Sequence, residues 1–151
     1  MLKSDRLLAR LPFPMEEAGD EADCRAAAES SADAATRGLI TFVCSMRWNA
    51  AQVGARIKRA VWGREHHVAV LLGEFGAARA LNAPARLAWL ETLRRACEQR
   101  GIGWAIWGYD DTMGFGIDPR APVRPVPVAS TAVGSTMDRA TLSVLRLDTV
   151  K

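Results

Sequence analysis

The spacing of apolar residues predicts a helix and then a strand in the middle of this 151-residue chain. Apolar positions recur at helical intervals after Asn49, a residue type that caps helix N-termini, so we expect a helix that runs to about Arg64. The run 68–72 is continuously apolar and rich in β-branched residues. Because it contains no polar alternation, it is typical of a parallel strand that is buried on both faces.

A second helix and a second strand follow. Residues 85–100 carry Leu87, Leu90, Leu93 and Cys97 on one helical face, and Gly101 stands where a left-handed cap is expected. Residues 102–107 form the next short β-prone segment. The order helix, strand, helix, strand predicts an α/β fold.

The two ends of the chain are less regular. Residues 1–37 form an acidic region with an irregular stretch at 11–14, where two prolines stand, and an alanine-rich stretch at 21–37 that would make a short helix with a thin apolar face. The run 39–44 fits a helix or a strand equally well. Residues 38–117 hold the alternating elements, and 118–151 hold a proline-rich loop and an expected closing helix near 142–145.

The composition is that of a globular protein, with 49% hydrophobic residues, 25% charged residues and a net charge of +3. No run approaches the roughly 20 apolar residues of a membrane span, and basic residues do not alternate with aromatic ones as in a nucleic-acid groove. We therefore expect neither a membrane nor a nucleic acid as partner. Most basic residues after position 37 lie in helix-like stretches, where solvated faces are the simplest interpretation: Arg56, Lys58, Arg59, Arg64, Arg86, Arg94 and Arg95.

The cysteines and histidines predict no special chemistry. Three widely separated cysteines, an odd number, imply no disulfide framework. There is no Cys-x-x-Cys pair, and the two histidines are adjacent in sequence, so no metal site is expected. The residues after Met1 lack the apolar core of a secretion signal, and cell location is left open because an export signal would lie upstream.

The candidate catalytic side chains lie where the predicted strands end. Glu74, between Gly73 and Gly76, follows the first strand directly. In α/β barrels the active site is assembled at the C-terminal ends of strands, so this is the position of a catalytic acid. The alternative is that Glu74 caps the following helix or pairs with Arg79.

Two tryptophans in the second strand strengthen the catalytic interpretation. Sugar rings present C–H groups that pack on flat aromatic faces, and buried indoles need partners for their N–H groups. Trp104 and Trp107 are an odd number of residues apart, so they are expected on opposite faces of the strand. One of them can therefore fill the core while the other faces the site; the alternative is that both are core residues, which fits Trp104 in particular. Tyr109 follows as a second aromatic side chain.

These segments resemble the end of glycoside hydrolase family 5, the cellulase type. The resemblance is carried by Leu71–Gly76, by a helix containing Arg86 and Trp89, by Gly101–Trp107 and by Phe115–Ile117. It is strong over residues 68–117 and weak elsewhere.

The resemblance implies a (β/α)8 barrel that hydrolyses β-glycosidic bonds with retention, in which this chain would form the last three or four βα units. Glu74 would be the nucleophile, Trp107 the platform on which the sugar stacks, and Tyr109 a second substrate contact. The expected partner is a β-glucan or a related polysaccharide, and no metal or organic cofactor is implied. Full-length relatives are usually exported.

Two departures from the family pattern limit the expected activity. Gly108 stands where the family often has an acidic residue, and the chain contains no Asn-Glu pair, the family's acid/base signature. A retaining mechanism needs a second carboxylate about 5–5.5 Å from the nucleophile, and such barrels take about 250 residues. We therefore expect a C-terminal fragment, accounted for by a truncated or degraded gene, that is inactive alone and self-associates through unpaired barrel edges. The alternatives are a noncatalytic carbohydrate-binding remnant and a small α/β interaction protein whose motif match is accidental.

Overall fold

The computed structural model describes residues 10–16, 18–79, 81–108 and 138–148. Along the chain it contains helices α1 (Ala18–Glu29), α2 (Ala34–Ser45) and α3 (Ala50–Lys58), a 3₁₀ helix (Arg59–Val61), helix α4 (Trp62–Glu65), strand β1 (Leu71–Phe75), helix α5 (Ala83–Glu98), strand β2 (Gly103–Ile106) and helix α6 (Arg139–Leu145). The architecture is α/β, as predicted, with helices packed on a parallel strand pair. None of the helices in these ranges is both long enough and apolar enough to cross a bilayer.

Helices α1 and α2 form a hairpin near the start of the described chain. The Asp33 carboxylate accepts a hydrogen bond from the Thr36 backbone N–H (2.8 Å) and caps α2. The ambiguous run 39–44 is therefore helical, and Ile40 from it is fully buried. The alanine-rich stretch contributes to two helices, one more than the sequence predicts.

A disulfide joins Cys24 on α1 to Cys44 on α2. The prediction of no disulfide framework is wrong, because the odd cysteine count comes from Cys97, which is buried and free.

Asn49 caps α3, as predicted, by accepting a hydrogen bond from the Gln52 backbone N–H at 3.0 Å. The helical path continues through the 3₁₀ helix and α4, so it ends at Glu65, close to the predicted residue. Gly63 in α4 is buried against the next segment: a Cβ added there would lie 2.1 Å from Val70 Cγ2. This close approach requires glycine.

Strands β1 and β2 pair in parallel, with Leu71 opposite Gly103, Leu72 opposite Trp104, and an irregularity before Phe75 pairs with Ile106. Strand β1 begins three residues later than predicted, because the preceding residues pack over α4. The prediction of burial on both faces is also wrong, since Leu71 is 63% exposed. Leu71 is exposed because the sheet is small, with two strands within the described ranges, and leaves one face of β1 uncovered.

Helix α5 begins at an Asn82 cap, whose side chain accepts from the Ala85 backbone N–H at 3.1 Å. It starts two residues earlier than predicted and has Pro84 in its first turn. Gly101 has the predicted left-handed conformation (φ 63°) after the helix, and the Ile102 N–H returns to the Cys97 carbonyl at 3.0 Å.

The apolar side chains form two clusters. The sheet cluster has at its centre Val53, Phe75, Ala77, Leu90, Leu93, Ala96 and Leu145. The hairpin cluster consists of Leu11, Met15, Cys24, Ala27, Ala28 and Ile40. The irregular segment 11–15 lies between them, because Phe13 packs against the sheet cluster while Leu11 and Met15 belong to the hairpin cluster.

Candidate active site

Glu74 is the fourth residue of β1, one position before the strand ends, and its side chain is exposed. The sequence predicts that it lies just after the strand, but β1 ends later than predicted, at Phe75, so Glu74 is inside the strand. Helix α5 is capped by Asn82, so the alternative in which Glu74 caps that helix is wrong.

Trp107 lies beside the end of β1. Its backbone N–H donates to the Phe75 carbonyl at 2.7 Å, one residue after Glu74, and 40% of the residue is exposed. Because neighbouring parallel strands have their C-terminal ends on the same side of a sheet, Glu74 and Trp107 lie at the same end of the strand pair. Tyr109, the third predicted site residue, lies outside the described residues, as does the 115–117 segment.

Trp104 packs inward. It contacts the sheet cluster and meets the Phe75 ring edge-on, with centroids 5.7 Å apart and an interplanar angle of 72°. Trp104 therefore packs on the core, and because Trp107 is 40% exposed, the alternative in which both tryptophans are core residues is wrong.

Gly73 borders open space. A Cβ added at this position would meet no atom within 4 Å, so the chain's own packing does not demand glycine here. Glycine in a strand interior costs about 0.5–1 kcal/mol relative to alanine. The open surface beside Glu74 is available for close approach of a ligand to the backbone.

The loop that follows β1 is held by two side chains of α5. Trp89 Nε1 donates to the Gly76 carbonyl at 3.0 Å, and Arg86 Nε donates to the Ala77 carbonyl at 3.2 Å. Arg86 is only 7% exposed, so its predicted place on a solvated face is wrong.

The Arg86 guanidinium also ties α5 to α6. Its Nη1 donates to the Asp138 carboxylate at 3.0 Å and to Thr141 Oγ1 at 2.9 Å. Burial by itself raises the pKa of the Asp138 carboxyl, but hydrogen bonds from Thr141 and Arg86 favour its charged form and together hold the pKa below its ordinary value.

Arg94 is a second buried cation on the same helix, 2% exposed, and the prediction of a solvated position is wrong for it too. Its Nε donates to the Val144 carbonyl at 2.7 Å, and it also bonds Glu98. Arg86, Leu90 and Arg94 are spaced four residues apart and therefore share one helix face. That spacing, with an apolar residue between the cations, is the sequence signal that would have identified their burial.

The arrangement places an exposed carboxylate and a partly exposed tryptophan at the same end of the strand pair. Within the ranges that the structure describes, no three His, Cys, Asp or Glu side chains are grouped as metal ligands.

No family model matches the chain, and no curated protein matches it. Among solved structures, it is similar to a hyperthermophilic endo-β-1,4-glucanase in complex with substrate, with 26% identity and a TM-score of 0.49 over 64% of this chain and 27% of that one. It is also similar to cellulose synthase subunit Z of Clostridioides difficile, with 28% identity and a TM-score of 0.48 over 64% of this chain and 28% of that one.

A third similar structure is Thermotoga maritima Cel5A in complex with mannotriose, with 16% identity and a TM-score of 0.49 over 92% of this chain. The chain spans only 27% of the glucanase and 35% of this Cel5A chain. The activity of a whole enzyme is therefore a proposal for this chain.

Proposed function

We propose that the chain is the nucleophile-bearing, C-terminal part of a retaining β-glycosidase of the cellulase type, with Glu74 as its nucleophile. The observation that carries the proposal is the exposed Glu74 carboxylate at the same end of the strand pair as Trp107. The backbone N–H of Trp107 donates to the Phe75 carbonyl. The resemblance of both strand motifs to glycoside hydrolase family 5 supports it, and with it the placing of the two strands in an incomplete (β/α)8 barrel.

In the proposed reaction the Glu74 carboxylate attacks the anomeric carbon of a β-glycoside, and the bond to the leaving oxygen breaks. The product is a glycosyl ester on Glu74, which water cleaves in a second step, restoring the carboxylate and retaining the configuration. The exposed face of Trp107 packs against the sugar ring, and Tyr109 supplies a further contact.

Natural β-glucans need a second carboxylate to protonate the leaving oxygen. The chain contains no Asn-Glu pair, so we propose that this proton donor is supplied by other barrel strands. Alone, the chain should not cleave polysaccharide. A glycoside whose leaving group departs without a proton tests the nucleophile separately.

The experiment uses 2,4-dinitrophenyl 2-deoxy-2-fluoro-β-cellobioside, whose fluorine slows hydrolysis of the ester so that the adduct accumulates. We expect mass spectrometry to find one fluorocellobiosyl group on the peptide that contains Glu74. Glu74→Gln should remain unlabelled. Glu65→Gln is the matched control, since it removes an exposed glutamate from α4, and it should be labelled like the unaltered chain. An unlabelled parent chain, or label retained in Glu74→Gln, refutes the proposal.

A noncatalytic carbohydrate-binding remnant is the second candidate. It is favoured by the exposed Trp107, which is 40% accessible beside the open surface at Gly73. Under this alternative, calorimetry with cellotetraose should show binding that Glu74→Gln preserves and Trp107→Ala removes, and the activated glycoside should leave no label.

A further inference from the structure

The chain leaves β1 through a loop whose first two carbonyl groups are both occupied by side chains of one helix. Gly76 accepts from Trp89 Nε1 at 3.0 Å, and Ala77 accepts from Arg86 Nε at 3.2 Å. These anchors lie two and three residues after Glu74. Helix α5 therefore fixes the backbone on the C-terminal side of the carboxylate.

Sheet pairing alone does not fix that backbone. The register between β1 and β2 is regular at Leu71 and Leu72 and shifts before Phe75, so the irregularity spans Gly73 and Glu74. The ladder resumes where the Phe75 carbonyl accepts the Trp107 N–H at 2.7 Å. Glu74 thus lies in the interrupted part of the ladder, one residue before that bond and two and three residues before the loop anchors.

Both anchoring side chains are themselves held. The Trp89 ring meets Phe13 edge-on at 5.2 Å and Trp48 edge-on at 5.6 Å between centroids. The guanidinium of Arg86 is bonded to Asp138 and Thr141, which joins it to α6. Neither side chain can turn away without breaking several contacts.

From this geometry we infer that Trp89 and Arg86 are positioning residues, which hold the Glu74 carboxylate in its attacking geometry by bonding the Gly76 and Ala77 carbonyls. The inference rests on the proposed function for its catalytic meaning. It extends that proposal to residues that would touch neither the sugar nor the reacting atoms. A misplacement of about 1 Å in a reacting group costs on the order of 100-fold in rate.

Trp89→Phe tests the inference, because it keeps an aromatic ring in the cluster but removes the indole N–H. Trp48→Phe is the matched control. It makes the same replacement in the neighbouring ring, which packs edge-on against Trp89, and leaves the Trp89 N–H in place. With the fluorinated glycoside, we expect Trp89→Phe to lower the maximal labelling rate about tenfold with the half-saturating concentration unchanged. The control should change either quantity less than about twofold.

Two readouts that need no reaction accompany the kinetics. The ¹³C carboxyl resonance of Glu74 and the hydrogen exchange of the Trp107 backbone N–H report the geometry of the strand end. We expect Trp89→Phe to shift or broaden the Glu74 resonance and to speed Trp107 exchange about tenfold, with neither change in Trp48→Phe. Arg86→Lys, which retains the positive charge near Asp138, should produce the same two changes.

The labelling and the spectroscopic measurements distinguish failure of the proposed function from failure of the positioning inference. An unlabelled parent chain refutes the proposed function, and the positioning inference is then decided by the resonance and exchange data. Equal effects of Trp89→Phe and Trp48→Phe on those data, or no effect of either, overturn the inference even if Glu74 is labelled. A Trp89→Phe variant whose half-saturating concentration rises while its maximal labelling rate is unchanged also overturns it.

Discussion

The disulfide between Cys24 and Cys44 allows a quantitative prediction. The two cysteines are 20 residues apart in sequence. Closing a loop of this length lowers the chain entropy of the unfolded state and stabilises the folded state by about 3 kcal/mol. That is a large part of the roughly 5–15 kcal/mol by which a domain of ordinary size is stable.

The perturbation is the double variant Cys24→Ala/Cys44→Ala, compared with the oxidised chain and with the chemically reduced chain. Ile40 and Ala27 are fully buried in the hairpin cluster, and we expect this apolar packing to keep the hairpin folded when the bridge is absent. Cys97 is unchanged in all three samples; in the folded chain burial raises the pKa of its thiol, which keeps it protonated and slow to exchange.

Urea unfolding followed by circular dichroism at 222 nm measures the effect, because this signal includes both hairpin helices. We expect the midpoint to fall by about 1–2 M in the reduced and double-variant samples. A difference in unfolding free energy below about 1 kcal/mol would refute the entropic argument. Alkylation of three cysteines, instead of one, in the unreduced unfolded chain would refute the disulfide itself.

Three further predictions concern packing, charge and association. Gly63→Ala should lower the unfolding free energy by about 1–3 kcal/mol in urea, because its Cβ would lie 2.1 Å from Val70 Cγ2; a loss below about 0.5 kcal/mol would contradict this close approach. The pKa of Asp138 is lowered in the folded state, so its contribution to stability is complete above the unfolded value of about 3.9 and is lost as pH falls through the folded value. Thermal midpoints between pH 6 and pH 2.5 should therefore fall more steeply for the parent chain than for Asp138→Asn, and parallel curves would exclude the effect. Leu71 is 63% exposed on β1, so Leu71→Lys should shift sedimentation toward monomer, and an unchanged distribution would mean that this strand does not mediate self-association.

The elements that the sequence predicts well are those with a local physical signal. Asn49 supplies a side-chain acceptor for the first turn of α3, and Gly101 adopts the left-handed conformation that ends α5. Both depend on a few neighbouring residues, so spacing alone located them. Trp104 and Trp107 separate into core and exposed positions for an equally local reason, the alternation of side chains along a strand.

The features that the sequence predicts poorly depend on how elements pack against one another. The 39–44 run is helical because it packs on α1, a partner that periodicity cannot identify. Strand β1 starts late because residues 68–70 cross Gly63. Arg86 is buried because Asp138, 52 residues away in sequence, and the Ala77 carbonyl accept its hydrogen bonds. The site itself was only partly predictable, since the loop anchors that hold Glu74 follow from the way α5 packs on β1.

The division of the apolar residues into two clusters has a consequence for optical probes. All five tryptophans lie at position 48 or later, and the hairpin cluster contains none of them. Trp48, Trp89 and Trp104 pack against the sheet cluster. Intrinsic emission from this protein therefore reports mainly on melting around the strands, and the hairpin cluster reaches it only through Trp48, whose carbonyl accepts from the Met15 N–H at 2.9 Å. A curve recorded by emission alone would assign to the whole molecule the behaviour of one of its two cores.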